Sequence, residues 1–268
     1  MHYLDHAATT PVPPAVAEEM VRVLTGDFGN PSAQYAAGRA AKERLARDRA
    51  VIAGALGAKP EQVFFTSCGT EGDNWAIRAA LHQNRHLGRH IITTAVEHSA
   101  VLQCLKALEG EGYTVTYLKP DREGRITAEQ VAEALREDTA LVSMMLVNNE
   151  TGAIFPVAEV AGLLKNRKTL LHTDAVQGFL KIPFTARSLG ADFIAISAHK
   201  VGGPKGIGAL YMGGKARNPR PLLYGGGQES GLRPGTEATA QIAGFAKAVA
   251  LRQEDLEEKL RHMARCRD

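Results

Sequence analysis

The tightest constraint on this chain is a regular alternation, between residues 63 and 212, of short apolar runs with amphipathic stretches. Val63–Ser67, His90–Thr94, Thr114–Leu118, Leu141–Val147, Leu170–Asp174, Phe193–Ser197 and Ile207–Met212 read as strands. Helices are predicted between the first five of them, over Thr70–Leu81, Ser99–Leu108, Ala128–Leu135 and Val157–Leu164, the last opening on Pro156. Strands joined through a helix cross over in parallel and with a right hand. Helices then cover both faces of the sheet. The pattern predicts an α/β fold built on a mainly parallel seven-stranded sheet with helices on both faces.

The two ends depart from this rhythm. Pro11, Pro13 and Pro14 prevent a helix from starting before Ala15, so residues 1–14 read as an extended arm. From Thr236 onward, Ile242, Phe245, Val249, Leu256, Leu260 and Met263 recur at helical spacing on one stripe. No Gly or Pro stop follows, so a single long helix is expected there. The expected organisation is an arm over 1–14, a large domain over 15–235 and a helix over 236–268.

Composition removes several classes of function. With 44% hydrophobic and 23% charged residues, the chain can bury a large core and is not disordered. Lys+Arg 32 against Asp+Glu 29 leaves no polybasic face for nucleic acid. Cys68, Cys104 and Cys266 form no C-x-x-C pair, which argues against a disulfide scaffold or a cysteine metal site and for a reducing compartment. No run is apolar enough to span a membrane, and the first residues lack the basic and apolar regions of a secretory signal. A cytoplasmic protein is expected. No phosphate loop of the G-x-x-x-x-G-K-[ST] type, no G-x-G-x-x-G after the first strand, no G-x-S-x-G elbow and no H-E-x-x-H occurs.

The chemistry-bearing residues cluster at the C-terminal ends of predicted strands, where open parallel sheets bind ligands. Lys200 follows Ser197-Ala198-His199 beside Gly202-Gly203-Pro204. A lysine partly desolvated there has a depressed pKa and can form a Schiff base with a carbonyl, although a solvated loop lysine would look the same in sequence. Asp174 ends an apolar strand, and a buried carboxylate can keep a pyridine nitrogen protonated. It could equally cap a turn. Gln177 lies three residues on. Thr66-Ser67-Cys68-Gly69-Thr70-Glu71 turns a strand into a helix, whose free N–H groups suit a phosphate as well as an ordinary cap. His98 could stack on a planar cofactor or move protons, and Asn149 could donate to an oxygen. A phosphate cradle, an acid, a stacking imidazole and a lysine on successive strand ends match the requirements of pyridoxal 5'-phosphate.

These segments also resemble the cysteine desulfurases of the class V aminotransferase group. The likeness runs from Tyr3-Leu4-Asp5-His6-Ala7-Ala8-Thr9-Thr10-Pro11 through Phe28-Gly29-Asn30-Pro31-Ser32 and Phe65–Glu71. It continues through Glu97-His98, Val147–Gly152, Asp174–Gln177, Ser197–Lys200 and Gly203–Gly206, and closes in Gly225–Glu229 and Arg233–Thr236. The resemblance implies the large domain of a fold-type I pyridoxal-phosphate transferase. It implies that Lys200 holds the cofactor and later moves the α-proton. His98 would stack on the ring, Asp174 pair with its nitrogen and Gln177 contact its oxygen. Gly69, Thr70, Ser197 and His199 would bind the phosphate, and Asn149 would approach the ring oxygen and the substrate carboxylate. Thr236 would reach the phosphate of a neighbouring subunit, which implies a homodimer. The implied reaction converts L-cysteine to L-alanine and passes sulfur to an acceptor or iron–sulfur scaffold protein. The alternatives are a cofactor-binding partner or scaffold without sulfur transfer, or another class V lyase or transferase acting on selenocysteine.

The departures from the family pattern concern sulfur transfer. The cysteine nucleophile of the family and its substrate-gripping arginine lie beyond the position matching Asp268, in a small C-terminal domain. Cys68 matches the phosphate loop and is expected to be a small packed residue, Cys104 a core residue, and Cys266 a helix-end residue. Gln34-Tyr35 stand where relatives carry a histidine, at the expected mouth of the site. The 268-residue chain alone is therefore expected to bind the cofactor and release negligible sulfide.

Overall fold

The computed structural model describes residues 2–217, 219–254 and 256–267. In chain order the elements are α1 (Pro14–Thr25), α2 (Ala36–Ala55), β1 (Val63–Thr66), α3 (Gly69–Gln83), β2 (His90–Thr94), α4 (Ser99–Gly110), β3 (Thr114–Leu118) and α5 (Ala128–Ala134). They continue with β4 (Thr139–Ser143), α6 (Val157–Leu163), β5 (Leu170–Asp174), α7 (Ala186–Leu189), β6 (Phe193–Ser197), β7 (Gly208–Met212), α8 (Thr239–Glu254) and α9 (Leu256–Arg267).

The strands form one seven-stranded sheet in the order β1-β7-β6-β5-β4-β2-β3. Every pairing from β3 across to β6 is parallel, as the intervening helices require. β7 runs antiparallel to both of its neighbours. The cause is local: no α-helix separates β6 from β7, so the chain turns back through glycines instead of crossing over. Alternation along the strands splits the core in two. Leu141, Leu170, Phe193, Ala195 and Leu210 face α3 and α4. Val142, Leu171, Ile194 and Ile196 face the other way, toward residues of α2, α5, α6 and α8. Helices thus cover both faces.

Three expectations need correction. The first helix starts at Pro14, not Ala15, because proline is tolerated in the first turn of a helix, where its missing N–H would have no partner. The fourth strand is Thr139–Ser143, not Leu141–Val147. Met144, Met145 and Leu146 are buried without belonging to the strand, and Val147 makes only an isolated antiparallel bridge to Ile154. A continuous apolar run reports burial, and burial continues here after the ladder has ended. The C-terminal helix starts at Thr239, not Thr236, and is described in two stretches, with residue 255 outside the described residues. Ile242, Phe245 and Val249 are fully buried against the core, whereas Met263 is exposed. Among the described residues no helix is long and apolar enough to cross a membrane.

Candidate functional site

A cavity of about 510 Å³ opens at the C-terminal ends of β1, β2, β4, β5 and β6. The register sets Asp174 beside Ala195 and Ser197 beside Gly208, so β6 runs two residues past the end of β5 at the edge of the cavity. Gly69, Thr70, His98, Asn149, Asp174, Gln177, Ser197, His199 and Lys200 all line the cavity. Thr236 does not; it is exposed and stands outside it.

At the front of α3, Cys68 is the N-cap and supplies no side-chain cap. The first amides of this 15-residue helix are therefore not consumed by a capping side chain, and they add to the helix dipole at the cavity floor. Glu71 is otherwise engaged. Its Oε2 accepts the Ser67 amide at 2.9 Å, and its carboxylate takes the Arg233 guanidinium at 2.8 Å. Burial would raise the Glu71 pKa, but the bonds from Arg233 and Ser67 outweigh it and hold the carboxyl below its ordinary value. Gly69 must be small: a Cβ there would come within 2.8 Å of Val176 Cγ2. Cys68, expected to be a packed residue, is instead half-buried and lines the cavity. The N-cap position directs it there, a backbone role the spacing did not reveal.

His98 is the N-cap of α4. Its Nδ1 accepts the Ala100 amide at 3.1 Å, which leaves Nε2 to carry the proton of the neutral ring. Asp174 accepts the Val176 amide at 2.9 Å. Burial first, and then the like charge of Asp73, push its carboxyl up to about 7, against the pull of that amide, His172 and His98. Lys200 closes a short 3-10 turn after β6, and burial lowers its pKa against the opposing attraction of Asp174 and Asp5. Burial likewise lowers His199, helped by Lys200, Lys205 and Lys181.

The N-terminal arm is part of the site, which its prolines did not foretell. Lys200 Nζ donates to the carbonyls of Ala7 at 2.5 Å and Ala8 at 2.8 Å. Gln177 Nε2 donates to the same Ala7 carbonyl at 2.8 Å, and its Oε1 accepts from Lys181 Nζ at 2.7 Å. Thr10 and Thr9 tie the arm to His199 through its carbonyl and Nδ1. Asn149 donates to Glu150 Oε1 at 2.6 Å. Gln34 and Tyr35 are absent from the cavity lining, so the departure noted there does not reach it in this chain. Cys104 is buried, with its thiol pushed up to about 11 by burial, and Cys266 is exposed on α9.

The lining brings together hydroxyls, the open amides of α3, a carboxyl and an amine, which are the groups that a phosphorylated pyridine aldehyde requires. Residues 2–266 match the model of the aminotransferase class-V family. The chain belongs to that family. Its enzymes use pyridoxal phosphate, and the residues present fit it. The chain is 46% identical over 257 residues to the putative cysteine desulfurase IscS 1 of Bacillus subtilis, covering 96% of this chain and 68% of that protein. It is 43% identical over 266 residues to the cysteine desulfurase IscS of Methanosarcina thermophila, covering 99% of this chain and 66% of that protein. A solved structure of a NifS-like protein superposes with a TM-score of 0.95 at 42% identity, covering 99% of this chain and 73% of the other. SspA in complex with cysteine superposes with a TM-score of 0.89 at 39% identity, covering 93% and 72%. The chain spans about two thirds of the length of these curated relatives.

Proposed function

We propose that this chain is the cofactor-binding portion of a pyridoxal-phosphate-dependent cysteine desulfurase that converts L-cysteine to L-alanine and hands sulfur to a thiol acceptor. The observation that carries the reading is the convergence of Lys200, Asp174, His98 and Gln177 with the capless front of α3 in a single cavity. The cofactor supplies an electron sink for a carbanion at the substrate α-carbon. Lys200, with its depressed pKa, offers an amine for covalent attachment and a base at that carbon. Asp174 would pair with the ring nitrogen and His98 would stack on the ring. Ser197, His199, Thr70 and the Gly69 amide would hold the phosphate. Asn149 and Gln177 would donate to the ring oxygen. The arm 1–14 and the domain 15–235 supply this machinery together, and Thr236 serves the partner's site in a homodimer. The relative solved with cysteine supports a cysteine-sized substrate.

The test is spectroscopic. Pyridoxal phosphate added to the purified chain should give a visible absorbance, and borohydride should fix the label on Lys200. Mapping of the label to another lysine would overturn the site. Lys200→Ala should abolish the absorbance, and Asp174→Ala should weaken binding of the cofactor. Alanine formed from cysteine, measured with and without an added thiol acceptor, then tests the reaction itself.

A further inference from the structure

A second set of titratable groups reaches from the cavity lining into the core, and the reaction above gives it no role. His172 and Asp174 are two residues apart on β5, so they point to the same sheet face. Ser143 sits on neighbouring β4, and Asp73 on α3 covers that face. Asp73 also lines the cavity with Asp174. Asp73, His172 and Ser143 are buried at 1%, 0% and 0% exposure. His172 Nδ1 lies 2.9 Å from Ser143 Oγ. His172 Nε2 and Asp73 Oδ1 lie 3.3 Å apart, yet among the described residues neither has a hydrogen-bond partner.

Two facing buried atoms left unpaired would each cost about 1–3 kcal/mol, so their proximity calls for a proton between them. An N–H on Nε2 is fixed in the imidazole plane, and Nε2 makes no hydrogen bond to the carboxylate 3.3 Å away. A proton on the Asp73 carboxyl can turn about its C–O bond and be aimed at Nε2. His172 then keeps its own proton on Nδ1 and donates it to Ser143. The same protons arranged as carboxylate and imidazolium would place two full charges on side chains buried to 1% and 0% exposure. Burial acts on both groups in the neutral direction, pushing Asp73 up to about 8 and His172 down to about 4.

We propose that Asp73 and His172 are positioning residues that share one proton as a neutral, Ser143-anchored pair and thereby leave Asp174 as the anion facing the cofactor ring. An ionised Asp73 would repel charge on Asp174, and that repulsion is, after burial, the second of the two causes that push the Asp174 carboxyl up to about 7. Glu97 does not restore that repulsion. Burial keeps it protonated as well, with Thr94 and Met145 bonded to its Oε1. Asp73 and His172 thus act through Asp174, and this half of the inference rests on the cofactor reading.

The protonation state is measured first, on chain without cofactor. The infrared difference between wild type and Asp73→Asn at pH 7 should show loss of a carboxylic-acid C=O band. Loss of carboxylate bands instead overturns the proposal. If Asp73→Asn does not fold, nitrogen-15 NMR of wild-type protein decides, because a neutral His172 ring protonated on Nδ1 supports the pair and an imidazolium refutes it. Cofactor-loaded protein tests the consequence. Asp73→Asn should keep affinity for pyridoxal phosphate within about threefold and leave the pH midpoint of the bound absorbance unchanged. A larger loss, or a shifted midpoint, overturns it. Wild type that gives no absorbance at all refutes the cofactor reading and leaves the infrared result standing on its own.

Discussion

Removing the Arg49 guanidinium should destabilise the chain strongly, because it strands a buried carboxylate. Arg49 on α2 donates to both oxygens of Glu229, at 2.7 and 2.5 Å, and the Glu229 side chain is only 2% exposed. Glu229 Oε2 also accepts the Phe65 amide at 2.8 Å, which ties the glycine-rich segment to the strand that leads into α3. Arg49→Met keeps the aliphatic stem over the Phe65 ring, where the guanidinium now sits 4.5 Å from the centroid. Glu229 is then left with the Phe65 amide among these partners. Breaking a buried pair from one side costs about 3–5 kcal/mol, which for a domain of this size lowers Tm on the order of 10 °C. Urea unfolding and calorimetry of the whole chain measure the loss. Glu229→Gln in the Arg49→Met background removes the stranded charge and keeps an acceptor for Phe65, so it should recover about 2 kcal/mol or more. A loss below about 1 kcal/mol for Arg49→Met, or a second variant that adds to the damage, would refute the reasoning.

Further outcomes follow from the site. Gly69→Ala should weaken pyridoxal-phosphate binding about 5- to 150-fold, the equivalent of about 1–3 kcal/mol of overpacking against Val176. Val176→Ala should restore much of it in an equilibrium titration; an unchanged affinity in Gly69→Ala alone would contradict the close approach. Burial pushes Glu97 up to about 8 from 4.5, so the folded chain holds a proton that the unfolded chain releases, and stability falls as pH rises through that window. Glu97→Gln should therefore gain on wild type between about pH 5 and 8 and level off above, by at most about 5 kcal/mol; a gap in urea stability that does not change with pH would rule this out. Because Thr236 lies outside its own chain's cavity, Lys200→Ala and Thr236→Ala chains refolded together should regain cofactor absorbance from the intact site of the mixed dimer. No gain over the unmixed variants would count against a site shared between subunits.

The sheet was legible because its strands announce themselves twice, by apolar content and by the helices between them. His90–Thr94, Thr114–Leu118, Leu170–Asp174 and Phe193–Ser197 fall where the sequence places them, to the residue. The fourth strand slipped because Met144–Leu146 are as apolar as a strand while lying outside the ladder. The antiparallel β7 was not foreseen, since nothing in Ile207–Met212 itself records the direction of its neighbours. Direction is a property of the connection, and the connection from Ser197 to Gly208 lacks an α-helix.

The cavity divides along the same line. Groups that line the cavity from strand ends could be read one at a time, because a polar residue that closes an apolar strand stands out. Groups that act on those groups could not. Asp73 looks like any helix residue until α3 lays it over β5, and His172 like a stray polar residue in a strand until Asp73 is found 3.3 Å away. The Glu71–Arg233 and Arg49–Glu229 pairs span 162 and 180 residues, distances over which no local spacing rule operates. Ala7 and Ala8 carry no side-chain chemistry, yet their carbonyls hold the Lys200 amine. What escaped the sequence is thus the supporting layer, whose members are defined by the partners that the fold brings to them. That layer sets the charge of Asp174, the placement of Lys200 and the openness of the α3 front, and it is where variants should separate binding of the cofactor from stability of the chain.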